Sequence, residues 1–239
     1  MKKIETEHYI FTYQEKGEAE KDIKKIASEQ ENCFQLICSE LKVKMENKIH
    51  YFFLDSPKEV GKLYGDNEPC NGFADENDNI YAVYNKDIKC IGPHEDVHII
   101  SARIGWPKSN FLIEGLAMYF DKQWWGIDND FWTKFYKGEI EISISSLLQN
   151  EKFNSVDCSL SYPVAGSFTK FLIQSYGIDL YLQLYKSQDD DYLKTFKCLY
   201  GKTIDTIENE YWNYIKSINL SENDKNILRN KLKENSVIF

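Results

Sequence analysis

Between Gly92 and Phe120 the chain reads GPHEDVHIISARIGWPKSNFLIEGLAMYF, and this run limits the architecture more than any other. The Gly92-Pro93 start predicts a helix, and Gly105 with Pro107 predicts its end. Ser109 or Asn110 caps a second helix, expected to run through Phe120 to Trp125. In the first helix His94 and His98 stand four residues apart, which puts both imidazoles on one face. In the second, Glu114 is the only charged residue between Phe111 and Phe120. A carboxylate buried among apolar side chains needs a partner or is driven neutral, and a divalent cation supplies that partner. Gly115 beside it allows another helix to approach closely.

Two imidazoles and one carboxylate are a donor set that suits zinc, and three protein ligands leave a fourth position open for water. Glu95, adjacent to the first histidine, is then placed as a general base for that water. The His-Glu-x-x-His pattern also arises by accident. The four histidines and the glutamate frequency of this chain give about one chance match in two hundred such sequences. Half of the histidines nevertheless fall within one helical turn, which favours a site over two solvated side chains. Asp96, on another face of that turn, is expected to be solvated or to support a ligand from behind.

Composition excludes several classes. The 239 residues carry a net charge of −9, with no basic stripe to meet phosphates, so nucleic acid is not an expected partner. No apolar stretch is long enough for a membrane span, and the start, MKKIETEHYIFTY, lacks the apolar run of an export signal. A cytoplasmic protein is expected. The six cysteines show no C-x-x-C pairing and read as buried thiols, with disulfides open if the chain is exported by another route.

Glu7–Tyr13 alternates as a first strand, and Glu18–Leu41 carries Ile23, Ile26, Ala27, Phe34, Ile37 and Leu41 at helical spacing. Lys48–Leu54 reads as a buried strand, and Ser56-Pro57-Lys58-Glu59 as a capped helix start. Residues 71–74 and 80–84 form a hairpin, either an ordinary one or a sheet edge able to take an extended peptide. Beyond the second metal helix the signals are helical. Tyr162-Pro163 is expected to open an apolar helix ending at Gly177, and further helices cover 178–185, 192–199, 203–218 and 221–234. Trp124, Trp125 and Trp132 read as packing of this part, and Asp189-Asp190-Asp191 as a solvated loop or helix cap. The expectation is an α+β chain: residues 1–105 as a mixed-sheet lobe ending in the histidine helix, and 106–239 as a helical lobe carrying Glu114, with a cleft between them and one cooperative unit overall.

His94-Glu95-x-x-His98 followed by Glu114-Gly115-x-Ala117 resembles the gluzincin metallopeptidases, the thermolysin-like zincins, and most of all the small bacterial peptidase-MA-like proteins. Phe111–Tyr119, Tyr162–Phe168 and Tyr200-Gly201-Lys202-Thr203 before Trp212 extend the likeness over most of the chain at the level of pattern. The resemblance implies a zincin-like fold and a zinc metallopeptidase acting on peptide or protein substrates. It assigns His94, His98 and Glu114 as zinc ligands, Glu95 as general base and Tyr162 as donor to the developing oxyanion. Tyr162 read on its own is equally a residue beginning a helix. The chain departs from thermolysin-type enzymes in two ways. Fifteen residues separate His98 from Glu114, a short interval, and Met118 occupies the place of an aspartate that bonds a ligand histidine. A backbone carbonyl, Asp121 or Ser101 is then left to orient that histidine. The alternative is a zincin-derived binding or regulatory domain whose metal is structural or lost.

Overall fold

A computed structural model describes residues 1–237 of the chain. The N-terminal part begins with a strand pair, β1 (Lys2–Glu5) and β2 (Tyr9–Tyr13), antiparallel in the register Ile4↔Phe11. Neither the first strand nor the late start of the second is evident in the sequence, since Lys-Lys-Ile-Glu has no alternation and becomes a strand only by pairing. Helix α1 (Glu18–Leu41) follows with the expected boundaries and ends where Lys42 turns left-handed, φ 57°. It crosses the sheet so that β3 (Ile49–Leu54) can pair parallel with β2. Strand β3 is buried on one face only. Ile49, Tyr51 and Phe53 point into the core, and His50, Phe52 and Leu54 are half-buried.

Helix α2 (Pro57–Tyr64) starts as expected, with Ser56 accepting from the Glu59 amide and Pro57 in the first turn. The hairpin β4 (Gly72–Ala74) and β5 (Asn79–Val83) then completes a five-stranded mixed sheet in the order β1-β2-β3-β5-β4. Strand β4 therefore lies at a sheet edge. Tyr9, Phe11, Tyr51 and Phe53 stack across β2 and β3 with ring centroids 4.9–6.5 Å apart. Burial of such a ring contributes about 1.5–3 kcal/mol. Helix α3 (Pro93–Ser101) closes this part, four residues short of Gly105, because its last turn tightens: Ile104 donates to the Ser101 carbonyl at 2.8 Å.

The rest is helical apart from one small hairpin. Helix α4 (Asn110–Asp121) follows Ser109, whose hydroxyl donates to the Leu148 carbonyl at 2.8 Å and accepts no amide of the helix's first turn. It stops at Asp121 because Lys122 turns left-handed, φ 65°. Trp124 and Trp125 thus leave the helix for β6 (Gln123–Trp124) and β7 (Ile127–Asp128), joined by Trp125 and Gly126, both with positive φ. That backbone is the tight turn two-residue hairpins prefer. Helices α5 (Asn129–Glu139), α6 (Ile144–Leu147) and α7 (Asn150–Ser155) come next, then the long α8 (Cys158–Tyr176). Helices α9 (Ile178–Lys186), α10 (Tyr192–Tyr200), α11 (Ile204–Ser217) and α12 (Glu222–Glu234) complete the chain as read from sequence, with Asp191 capping α10.

The start of α8 corrects an expectation. It begins at Cys158, capped by Asp157, and Pro163 lies inside it. A proline there removes the amide that would satisfy the carbonyl one turn back, at Ser159. Tyr136 of α5 supplies the missing donor, its hydroxyl reaching Ser159 O at 2.8 Å. Helix α8 is closely approached by α4 at two glycines. A Cβ on Gly115 would stand 2.6 Å from Thr169 Oγ1, and one on Gly166 would stand 2.6 Å from Met118 Cβ. Gly115 thus serves the approach of α4 to α8.

By contact density the chain divides into two units, Met1–Ile104 and the part from Gly105 onward. The cysteine expectation is overturned in one respect. None of the six is fully buried, Cys158 and Cys198 are exposed, and no disulfide joins any of them. No helix among the described residues is long and apolar enough to cross a membrane.

Candidate metal centre

Helix α3 is launched by Gly92, whose φ of 123° is open to glycine and strained for other residues. Pro93 takes the first helical position, where no amide is missed. Three residues later, at Asp96, the helix meets a buried polar network. Asp96 is fully buried, so the solvated reading of this residue is wrong. Its Oδ2 accepts from the Tyr9 hydroxyl at 2.6 Å and from Gln30 Nε2 at 2.9 Å. Burial pushes the Asp96 carboxyl well above the usual range, hydrogen bonds from Tyr9 and Gln30 pull against it, and the neighbouring Glu95 charge pushes the same way as burial. Gln30 also bonds the cap itself: its Nε2 donates to Gly92 O at 3.0 Å, and its Oε1 accepts from Gly92 N at 2.9 Å.

Opposite that anchored face, His94 and His98 stand with ring centroids 5.0 Å apart and planes at 83°. Both are half-buried, as is Glu114 on α4. One donor atom from each of the three lies within 4.8 Å of the other two. This is the one such grouping of histidine, cysteine and carboxylate side chains found among the described residues. The donors are those zinc prefers, two neutral imidazoles and a carboxylate, so the residues present fit that ion.

Glu95 is half-buried and faces the sheet edge. A Cβ on Gly72 of β4 would stand 3.3 Å from Glu95 Oε1 and 2.9 Å from Cys90 Sγ. The glycine at this point therefore keeps the edge strand low beside the carboxylate. Tyr162 is the fifth residue of α8, half-buried, with its ring stacked on Phe153 at 5.9 Å and edge-on to Trp124 at 5.8 Å. It belongs to that aromatic packing and is not a member of the three-donor grouping. Met118 is a fully buried packing residue against Gly166, and its carbonyl accepts from Asn129 Nδ2 at 2.9 Å. Ser101 donates to the His98 backbone carbonyl at 3.5 Å. His8 is accounted for by Glu31, 2.6 Å from its Nδ1, and by stacking on Phe34 at 4.0 Å.

Sequence reasoning missed Gln30, Tyr9 and the inward turn of Asp96. A signal was present for Gln30. It falls on the apolar stripe of α1, between Ile26 and Ala27 on one side and Phe34 on the other, where a polar side chain must find partners.

Compared with protein-family models and with curated proteins, the chain matches none.

Proposed function

We propose that this chain is a zinc-dependent metallopeptidase with a zincin-like fold, hydrolysing a peptide bond with Glu95 as general base. The observation that carries the reading is the approach of His94, His98 and Glu114 donor atoms to within 4.8 Å of one another. The resemblance to gluzincins in the residues around both helices points the same way. A zinc ion bound there supplies Lewis acidity, polarising the substrate carbonyl and acidifying a water molecule. Glu95 takes the proton of the attacking water and passes it to the departing amine nitrogen. Tyr162 donates a hydrogen bond to the carbonyl oxygen as charge develops on it. Edge strand β4 aligns an extended peptide by main-chain hydrogen bonds, with Gly72 leaving room beside Glu95.

Retention of a glutamate at position 95 favours catalysis over a purely structural metal, because that residue is not a ligand in this scheme. Met118 favours the second reading, a binding domain, since a buried packing side chain stands where related enzymes carry a histidine-orienting carboxylate. Glu95→Gln separates the two. The enzyme reading expects metal content to be retained and peptide hydrolysis to fall by about 10³-fold. Hydrolysis unchanged by Glu95→Gln sinks the peptidase assignment.

A further inference from the structure

We infer that Gln30 is a positioning residue for α3, setting the rotation at which the helix presents His94 and His98. The inference rests on the metallopeptidase reading. Gln30 lies on α1, fully buried, and its amide makes three hydrogen bonds to α3 and its cap. Two of them form a closed pair with the peptide groups of Gly92, which fixes where the helix begins. The third reaches Asp96, one turn further on. Two attachments a turn apart on the same side of a helix hold its rotation as well as its height.

The face they hold is the one that matters for the histidines. Asp96 is two residues from His94 and two from His98, so at about 100° per residue it projects from the opposite side of α3 to the imidazoles. A rotation of about 20° moves atoms at the ~5 Å side-chain radius by roughly 2 Å. Metal–ligand distances tolerate only about 0.2 Å. An anchor on the rear face is therefore a direct control on ligand geometry.

The chemistry of the residue is specific. Only a side chain with an adjacent donor and acceptor answers both the N–H and the C=O of Gly92, and the amide has a second N–H left for Asp96. The Tyr9 hydroxyl links the same parts, donating to Asp96 at 2.6 Å and to the Gln30 backbone carbonyl at 3.1 Å. In so dry a place a mismatched group leaves a buried donor or acceptor unsatisfied, which is far costlier than a lost surface bond.

The test uses the whole chain, zinc alone as probe, and Gln30→Met, which keeps the length of the side chain and removes all three bonds. Zinc affinity is read by competition with a chromophoric chelator, and ligand geometry by the visible spectrum of the cobalt-substituted protein. With folding verified by circular dichroism, Gln30→Met is expected to weaken zinc by tenfold or more and to change the cobalt spectrum. A folded variant with wild-type zinc affinity and an unchanged cobalt spectrum overturns the proposal, whatever its melting temperature. If Gln30→Met does not fold, Gln30→Glu, which keeps the acceptor for Gly92 N–H, is read in the same way. Amide exchange of the metal-free wild type is an independent check. The Gly92 amide is expected to be protected, and exchange at the open-chain rate overturns the clamp with no variant involved. A wild type that binds no zinc overturns the metal reading and this inference with it. Zinc binding that is indifferent to Gln30 overturns the inference alone.

Discussion

Helix α3 is held to α1 by an amide, a phenol and a buried carboxylate, whereas α4 is held to α8 by two glycines and an absence of side chain. The first arrangement works through direction. Each hydrogen bond is satisfied at one orientation, and the penalty for leaving a buried group unmet exceeds the gain from meeting it. The second works through distance. Glycine lets α4 and α8 approach until backbone and side-chain atoms touch, and close packing then resists any added volume. In the proposed zinc site two histidines on one helix have to be aimed together, and a network serves that need. The same proposal needs a single carboxylate on α4 at the right depth, and a packing contact serves that one.

The difference can be broken from either side. The largest effect on stability is expected at the packing contact. Gly166→Val places its first carbon 2.6 Å from Met118 Cβ and 2.7 Å from Asn129 Nδ2. The helix-propensity gain over glycine is below about 1 kcal/mol, while overpacking of this kind costs about 3 kcal/mol, so the clash wins. Urea denaturation is expected to show the loss, and a variant as stable as wild type removes distance as the principle of this contact.

A smaller loss is expected in the network. Tyr9→Phe deletes one of the two donors to Asp96 and leaves Gln30 in place. Stability should fall by about 1–2 kcal/mol in thermal or urea unfolding, with the Gly92 amide still protected. A neutral result would mean that Asp96 is held by Gln30 alone.

The smallest effect belongs to a polar cluster at the surface of the helical part, where Glu210 takes hydrogen bonds from Lys202, at 2.6 Å, and from Tyr176. These partners, Lys202 first, hold the Glu210 carboxyl below its usual range. Because the folded value is depressed, the contribution is present above the ordinary carboxylate range and is lost as pH falls through the folded value. Half-exposed, the pair is screened by salt and contributes least of the three. Glu210→Gln should flatten the acid limb of the stability profile slightly at low ionic strength. An unchanged limb would show that the cluster contributes nothing measurable, in contrast to the buried network.

The same contrast explains how much could be read in advance. His94, Glu95, His98 and the amphipathic α1 were legible because their information is local, carried by spacing along one helix. The α+β order followed from patterning of the same kind, whereas the β4–β5 hairpin was legible as a hairpin and its place at the sheet edge came only with the pairing order. The burial of Asp96 was not legible because its partners Tyr9 and Gln30 lie 87 and 66 positions away and, unlike Glu114, it is not set in an all-apolar run. The start of α8 was hidden by Pro163, whose usual place is a first turn. Tyr136, 23 positions from Ser159, makes the interior proline tolerable. Strand β1 and the Trp125-Gly126 hairpin exist through pairing and through two positive φ angles, one of them on a tryptophan, which propensity does not foretell.

The most direct test is elemental analysis of the purified, untagged chain beside a His94→Ala/His98→Ala variant. About one zinc per wild-type chain and none in the folded variant is the result expected of a three-donor site. A wild type without metal after reconstitution with zinc, or a variant that keeps it, would contradict the site and the function built on it.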